Sequence, residues 1–196
     1  KALQIGAGVN RHAGWLHTNW FPIRPWGRKS VFLDATGRFP FADATFDHVF
    51  AEHMIEHVPH AGGLAMLREC FRVMKPGARI RISTPDLRSI VALLGDELSP
   101  LQRAYVEWGA QNYVDPGDPP RAMAMVNKIM RGWGHAFVYD EETLRESFAS
   151  AGFAGIERLR VNESRDPFMT GIDNAQKYPE GFLDLESVVL EAIKPA

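Results

Sequence analysis

Apolar residues in the first third of the chain come in short runs, each stopped by glycine, proline or a polar turn. Ala2-Leu3-Gln4-Ile5 runs into Gly6-Ala7-Gly8 and predicts a buried strand entering a tight glycine turn. Trp15-Leu16-His17-Thr18-Asn19 predicts a second strand, Val31-Phe32-Leu33-Asp34 a third, and Phe46-Asp47-His48-Val49-Phe50-Ala51 a fourth. After Gly62-Gly63 the pattern lengthens. Leu64, Met66, Leu67, Cys70, Phe71 and Val73 line one side of an amphipathic helix, stopped by Lys75-Pro76-Gly77. Arg79-Ile80-Arg81-Ile82-Ser83-Thr84 then alternates as a strand does.

Beyond Pro85-Asp86 the pattern is helical to about Arg131, broken by the loop from Asp115 to Pro120; residues 87–133 read as a helical insertion or lid. Asp140 is placed to cap a further helix that ends at Ala151-Gly152. Ile156 to Val161 and Ser187 to Ile193 are the last strands, with no long helix between them. Strands alternating with helices predict an α/β fold around a mostly parallel sheet. Residues 1–196 read as a single domain.

A formal net charge of −2 lacks the basic excess expected of a protein that grips nucleic acid or an anionic membrane, so a small-molecule or protein partner is expected. No apolar run reaches membrane-spanning length, and a cytoplasmic location is expected. Cys70 stands alone, which excludes an intramolecular disulfide and points to a core position on its helix.

Three of the seven histidines fall within Ala51-Glu52-His53-Met54-Ile55-Glu56-His57-Val58-Pro59-His60. The H-x-x-E-H spacing of His53, Glu56 and His57 matches a zinc hydrolase, with two histidines as ligands and the glutamate as base. Context opposes that reading. The motif follows a strand directly, Pro59 and Gly62-Gly63 interrupt any long helix, and no third ligand is evident downstream. No metal is therefore expected.

A longer ordered series is more specific. Leu3-Gln4-Ile5-Gly6-Ala7-Gly8 is followed by Asp34-Ala35-Thr36-Gly37-Arg38-Phe39-Pro40-Phe41-Ala42-Asp43, then Phe46-Asp47, Glu56-His57 and Leu67-Arg68-Glu69-Cys70-Phe71-Arg72-Val73-Met74-Lys75-Pro76-Gly77. Together they resemble the class I S-adenosylmethionine-dependent methyltransferases, particularly the methyltransferase type 11 group. The resemblance covers most of residues 2–84. It implies a Rossmann-like, doubly wound sheet of about seven strands with an antiparallel last strand, and S-adenosylmethionine as cofactor. By position it implies that Gly6, Ala7 and Gly8 bring backbone against the cofactor, that Asp34 accepts from the adenine amine with Ala35 beside the ring, and that Glu52 and His53 lie at the ligand edge of the sheet. His57 would fix its turn rather than bind metal.

The chain departs from that family in two ways. Six residues between Gly8 and Trp15 are too few for a crossover helix, and Pro22 and Pro25 bar a normal helix from the connection between Trp20 and Ser30. Where an acidic residue grips the ribose hydroxyls in the family, this chain has Asn19, whose neutral amide binds less strongly. Missing helices would bare apolar sheet, so a cover is expected from Trp15, Trp20, Phe21 and Trp26, from the helices between Leu87 and Met130, or from a second copy in a homodimer.

The resemblance further implies that the sulfonium already supplies a strong electrophile, so the protein mainly aligns an acceptor with the methyl group and excludes water. A hydroxyl or acidic carbon would need a general base, for which His53 and His135 are the candidates. Arg88, Arg121, Lys128 and Arg131 are candidates for an anionic acceptor, with a solvated helix face as the alternative. A binding or scaffold protein that has kept the fold and lost cofactor affinity is the competing functional class.

Overall fold

A computed structural model describes residues 1–20 and 30–196. Seven strands form one sheet: β1 (Ala2–Gln4), β2 (Trp15–Asn19), β3 (Val31–Phe32), β4 (Phe46–Glu52), β5 (Met74–Pro85), β6 (Ala154–Leu159) and β7 (Ser187–Ile193). Their order is β3-β2-β1-β4-β5-β7-β6. The first five run parallel, and β7 lies antiparallel between β5 and β6. Strand order therefore reverses at the β1/β4 junction, the switch point where open α/β sheets bind ligands.

Two strand boundaries differ from expectation. β3 is only Val31–Phe32, because the chain turns away through Leu33 and Asp34. β5 begins at Met74, so the helix before it, α1 (His60–Val73), ends earlier than Lys75-Pro76-Gly77 suggested. Those three residues sit where the β4/β5 register slips between Phe46 and His48. An irregularity of this kind tolerates a proline that cannot donate to the ladder.

Alternation along the strands sorts the sheet into two faces of different character. Leu3, Val49, Ala51, Ile80 and Ile82 turn toward α1 and α5 (Glu141–Ser150), where Met66, Leu67, Cys70, Leu144 and Phe148 complete the main core. Asp140 caps α5 as expected, its carboxylate accepting from the Thr143 amide at 2.9 Å. Ala2, Phe50, Arg81 and Glu191 turn the other way. That face is covered by the segment between β6 and β7: Met169 and Ile172 pack on Ala2, Trp15 and Phe50, and the Phe168 ring stacks on Trp15 at 5.4 Å.

The expected cover is thus corrected. Trp15 contributes, but Trp20 is exposed against Phe32 at the sheet edge, and the helices between residues 87 and 131 pack elsewhere. Phe21, Pro22, Pro25 and Trp26 lie outside the described residues. Residues 9–14 form turns and no helix, as the short spacing required. The covered face is not wholly apolar either. Arg81 is fully buried, bonded to its register partner Glu191 at 2.8 Å and to both oxygens of Asp173 in the cover.

α2 (Leu87–Ala92), α3 (Pro100–Asn112), α4 (Ala122–Arg131) and α6 (Phe182–Glu186) enclose a second apolar cluster around Tyr105, Met125, Ile129 and Phe182. α3 starts with a capping box between Ser99 and Gln102. This helical layer stands beyond the carboxyl end of β5.

Candidate active site

At the carboxyl ends of β1 and β4 lies a cavity of about 630 Å3, lined among others by Gly6, Gly8, Asn19, Asp34, Ala35 and His53. Six of the sequence-predicted residues therefore share one wall. Gly6 and Gly8 both hold left-handed backbone, at φ 65° and 52°. Their reasons differ from those expected. A Cβ on Gly6 would overlap the Met54 side chain, whereas a Cβ on Gly8 would meet no protein atom and would project into open space.

Asp34 Oδ1 accepts from the Thr36 amide at 2.9 Å and the Thr36 hydroxyl at 2.7 Å, closing a short turn. These bonds hold the carboxyl below its ordinary range. Its second oxygen has no protein partner among the described residues and is available to a donor. Asn19 is committed differently: its Oδ1 accepts from the Gly8 amide at 2.7 Å, and its amide nitrogen reaches Ser30 Oγ at 3.3 Å. It braces the glycine turn.

Two predicted cofactor residues stand apart from the cavity. Ala7 is buried, with its amide bonded to the Thr18 carbonyl, and does not line the space. Glu52 turns toward the covering segment, where both its oxygens accept from Asn174, one of them from the backbone amide at 2.7 Å. Burial raises the Glu52 carboxyl above its usual range. The period of β4 explains this: Glu52 shares the side of Phe50, and only the bend at His53 redirects the chain.

His53 makes that bend with a left-handed φ of 45°, uncommon for a residue other than glycine. Its Nε2 lies 3.2 Å from Ser187 Oγ. A quarter of the ring remains exposed, toward the cavity, yet packing around the rest, with His135 and His57 nearby, pushes its pKa down to about 4. It is neutral at neutral pH. His53 and His57 also line a second cavity of about 400 Å3, together with Glu56, Tyr113, Trp133 and His135 under the helical layer. His53 and His57 thus form the boundary between the two spaces.

His135 belongs to the second cavity alone. Its Nδ1 donates to the Ile129 carbonyl at 2.5 Å, which leaves the lone pair on Nε2. The zinc-hydrolase geometry does not form: Ile55–His57 is one turn of 3-10 helix, and His53 lies in the bend between it and β4. Burial puts Glu56 up to about 8. Ile55 is fully buried as a core anchor, and His57 is exposed against the backbone of Trp133 and Gly134.

A further cavity, of about 910 Å3, shares no lining residue with these two. It is an open groove whose charges pair with one another, Arg88 with Asp140 and Glu142, and Arg158 with Glu141 and Asp86. Lys128 is likewise paired, with Asp115. Neither Arg88 nor Lys128 is free to collect an anion.

A family model described as "Methyltransferase domain" matches residues 26–82, the stretch that carries Asp34, His53 and Glu56. Over that stretch the chain is similar to a methyltransferase domain. The fold as a whole recurs in solved methyltransferase structures. A chain of the Haloferax volcanii complex between the Trm112 methyltransferase activator and a methyltransferase is 14% identical, with a TM-score of 0.56 over 100% of this chain and 82% of that one. A SAM-dependent methyltransferase from Thermotoga maritima is 17% identical, TM-score 0.55, over 99% and 82%. One from Archaeoglobus fulgidus is 16% identical, TM-score 0.54, over 98% and 85%. At these identities the likeness is one of fold. No curated protein sequence matches the chain. Among the described residues no helix is long and apolar enough to cross a membrane.

Proposed function

We propose that this chain binds S-adenosylmethionine in the 630 Å3 cavity and transfers its methyl group to a small molecule held in the adjoining 400 Å3 cavity. The observation that carries the reading is the pair of cavities meeting at His53 and His57, one opening at Gly8 and Asp34 at the switch point, the other roofed by α3 and α4. Gly8 leaves room for the cofactor's backbone approach, and the unpartnered Asp34 oxygen would accept from the adenine amine. Ala35 would lie against the ring. In the transfer, the acceptor atom attacks the methyl carbon, the carbon–sulfur bond breaks, and S-adenosylhomocysteine leaves.

His53 is the base candidate that faces both spaces. Its neutral ring can accept a proton, but a group titrating near 4 is a weak base, so an acceptor that loses its proton easily suits it best. His135 Nε2 is the second candidate, placed on the acceptor side. The net charge of −2 favours a small acceptor over nucleic acid, and we expect a cytoplasmic reaction.

Thermal unfolding with S-adenosylhomocysteine tests the reading, since a ligand bound only to the folded chain raises the midpoint. A clear rise is expected, and none at millimolar ligand would refute cofactor binding. One observation favours a second reading. With Asn19 engaged on Gly8, no carboxylate stands at the end of β2 for the ribose, as expected of a binding or scaffold protein that has kept the fold and lost cofactor affinity. A folded chain whose midpoint does not rise with either S-adenosylmethionine or S-adenosylhomocysteine would support that alternative.

A further inference from the structure

Three metal-ligating side chains meet at the floor of the second cavity. Glu56, His57 and His135 each offer one ligand atom, and these atoms lie within 4.8 Å of one another. Glu56 is wholly buried. Its Oε2 accepts from Thr84 Oγ1 at 3.0 Å, but its Oε1 has no hydrogen-bond partner. The nearest candidate, His53 Nδ1, is 3.5 Å away, too long to count as one. A buried carboxylate oxygen left without a partner is costly, and it calls for a partner the protein itself does not supply.

The His135 imidazole is oriented for that role. His135 donates its Nδ1–H to the Ile129 carbonyl, so Nε2 is bare, the arrangement that commonly fixes a metal-binding histidine. His57 follows Glu56 on the same 3-10 turn and is exposed to the cavity mouth. His135 reaches the site from the turn after α4, which explains why linear spacing concealed it.

We propose that Glu56 Oε1, His57 and His135 Nε2 bind a divalent first-row transition ion, with zinc the best match. Two imidazoles and one carboxylate are a zinc-type donor set, and three protein ligands leave a position open. Magnesium and calcium prefer oxygen-only shells. The open position faces the second cavity, where an oxygen or nitrogen of the methyl acceptor completes the coordination; that last step alone rests on the methyl-transfer reading.

The test uses the untagged chain, freed of metal by chelator, in the absence of S-adenosylmethionine. Calorimetric titration with zinc chloride is expected to show one ion per chain, and cobalt chloride to give the intense ligand-field absorption of a low-coordinate site. His135→Ala, His57→Ala and Glu56→Gln should each weaken zinc binding at least roughly tenfold and abolish the cobalt spectrum. His60→Gln, on α1 outside the cluster, should change neither. Circular dichroism identifies any variant that fails to fold, and the partly exposed His57 and His135 keep the test intact if Glu56→Gln does. Zinc binding no tighter in the parent than in folded His135→Ala, or a cobalt spectrum that survives both histidine changes, would overturn the site and leave Glu56 a protonated acid. Cofactor binding is read separately, so its failure would not be mistaken for failure of the metal site.

Discussion

Two regions of this molecule bury charge and treat it in opposite ways. Around Arg81 every charged atom is answered: the guanidinium meets Asp173 and Glu191, two further bonds reach the Glu163 and Arg160 carbonyls, and Glu191 also takes Arg79 and Ser164. Around the second cavity, Glu56 and Glu186 are buried with hydroxyl donors and no cation, Thr84 for one and Tyr105 for the other. Burial puts these carboxyls up to about 8 and about 7. The first arrangement pins the covering segment over a sheet face that has no helix. The second leaves a cost uncompensated where ligands are expected, the usual distinction between a structural network and a site.

The sharpest way to break the comparison is to remove Arg81. Arg81→Ala should leave the buried Asp173 without a cation and Glu191 with only Arg79 and Ser164, and cost about 3–5 kcal/mol in urea unfolding. Combining Arg81→Met with Asp173→Asn and Glu191→Gln should recover much of that loss, since no fully buried charge is then left unpaired and Arg79, which gives up Glu191, is partly exposed to water.

Glu186→Gln should act with the opposite sign. Because the folded-state pKa of Glu186 is raised, its contribution is fully present below the unfolded value near 4.5 and is lost as pH rises through about 7. The parent chain should therefore lose stability between those values. The variant, which keeps an acceptor for Tyr105, should be flatter there and more stable by up to about 3 kcal/mol at pH 8. Unfolding at pH 5 and pH 8 checks both statements, and a variant less stable at pH 8 would erase the contrast between the two regions.

Asp34→Asn probes a carboxylate that belongs to neither buried set. Thr36 can still bond the remaining oxygen, so stability should hold. Replacing the free oxygen by an amine should weaken S-adenosylhomocysteine roughly tenfold to a hundredfold, the worth of a charge-assisted hydrogen bond of about 1.5–3 kcal/mol. Calorimetry measures it. The smallest effect is expected at Ser99, where loss of the α3 cap in Ser99→Ala should cost about 1 kcal/mol with no change in the pH profile.

Much of the architecture was legible because it is local. Strand runs at Trp15–Asn19 and Ser187–Ile193 carry their own period and stop signals, and both appear with the expected bounds. The Asp140 cap and the helix-free connection after Gly8 follow from side-chain chemistry and chain length. The site was legible in part. Gly8, Asp34, Ala35 and His53 could be placed at the ligand edge because each ends or follows a strand. Glu52 misled because one residue of strand period separates the ligand edge from the covered face, and His53's bend lies between them.

By itself, then, the sequence determined an alternating α/β chain, a glycine turn after β1, an aspartate after β3, and a histidine-rich turn after β4. Only the tertiary structure decided what covers the helix-poor flank, why Arg81 is tolerated inside, and that His135 joins Glu56 and His57. Those outcomes depend on contacts between residues far apart in the chain, Arg81 with Asp173 and Glu56 with His135. Period, capping and turn chemistry act over a few residues and carry no record of such meetings, which exist only once the sheet and its covering segments have closed.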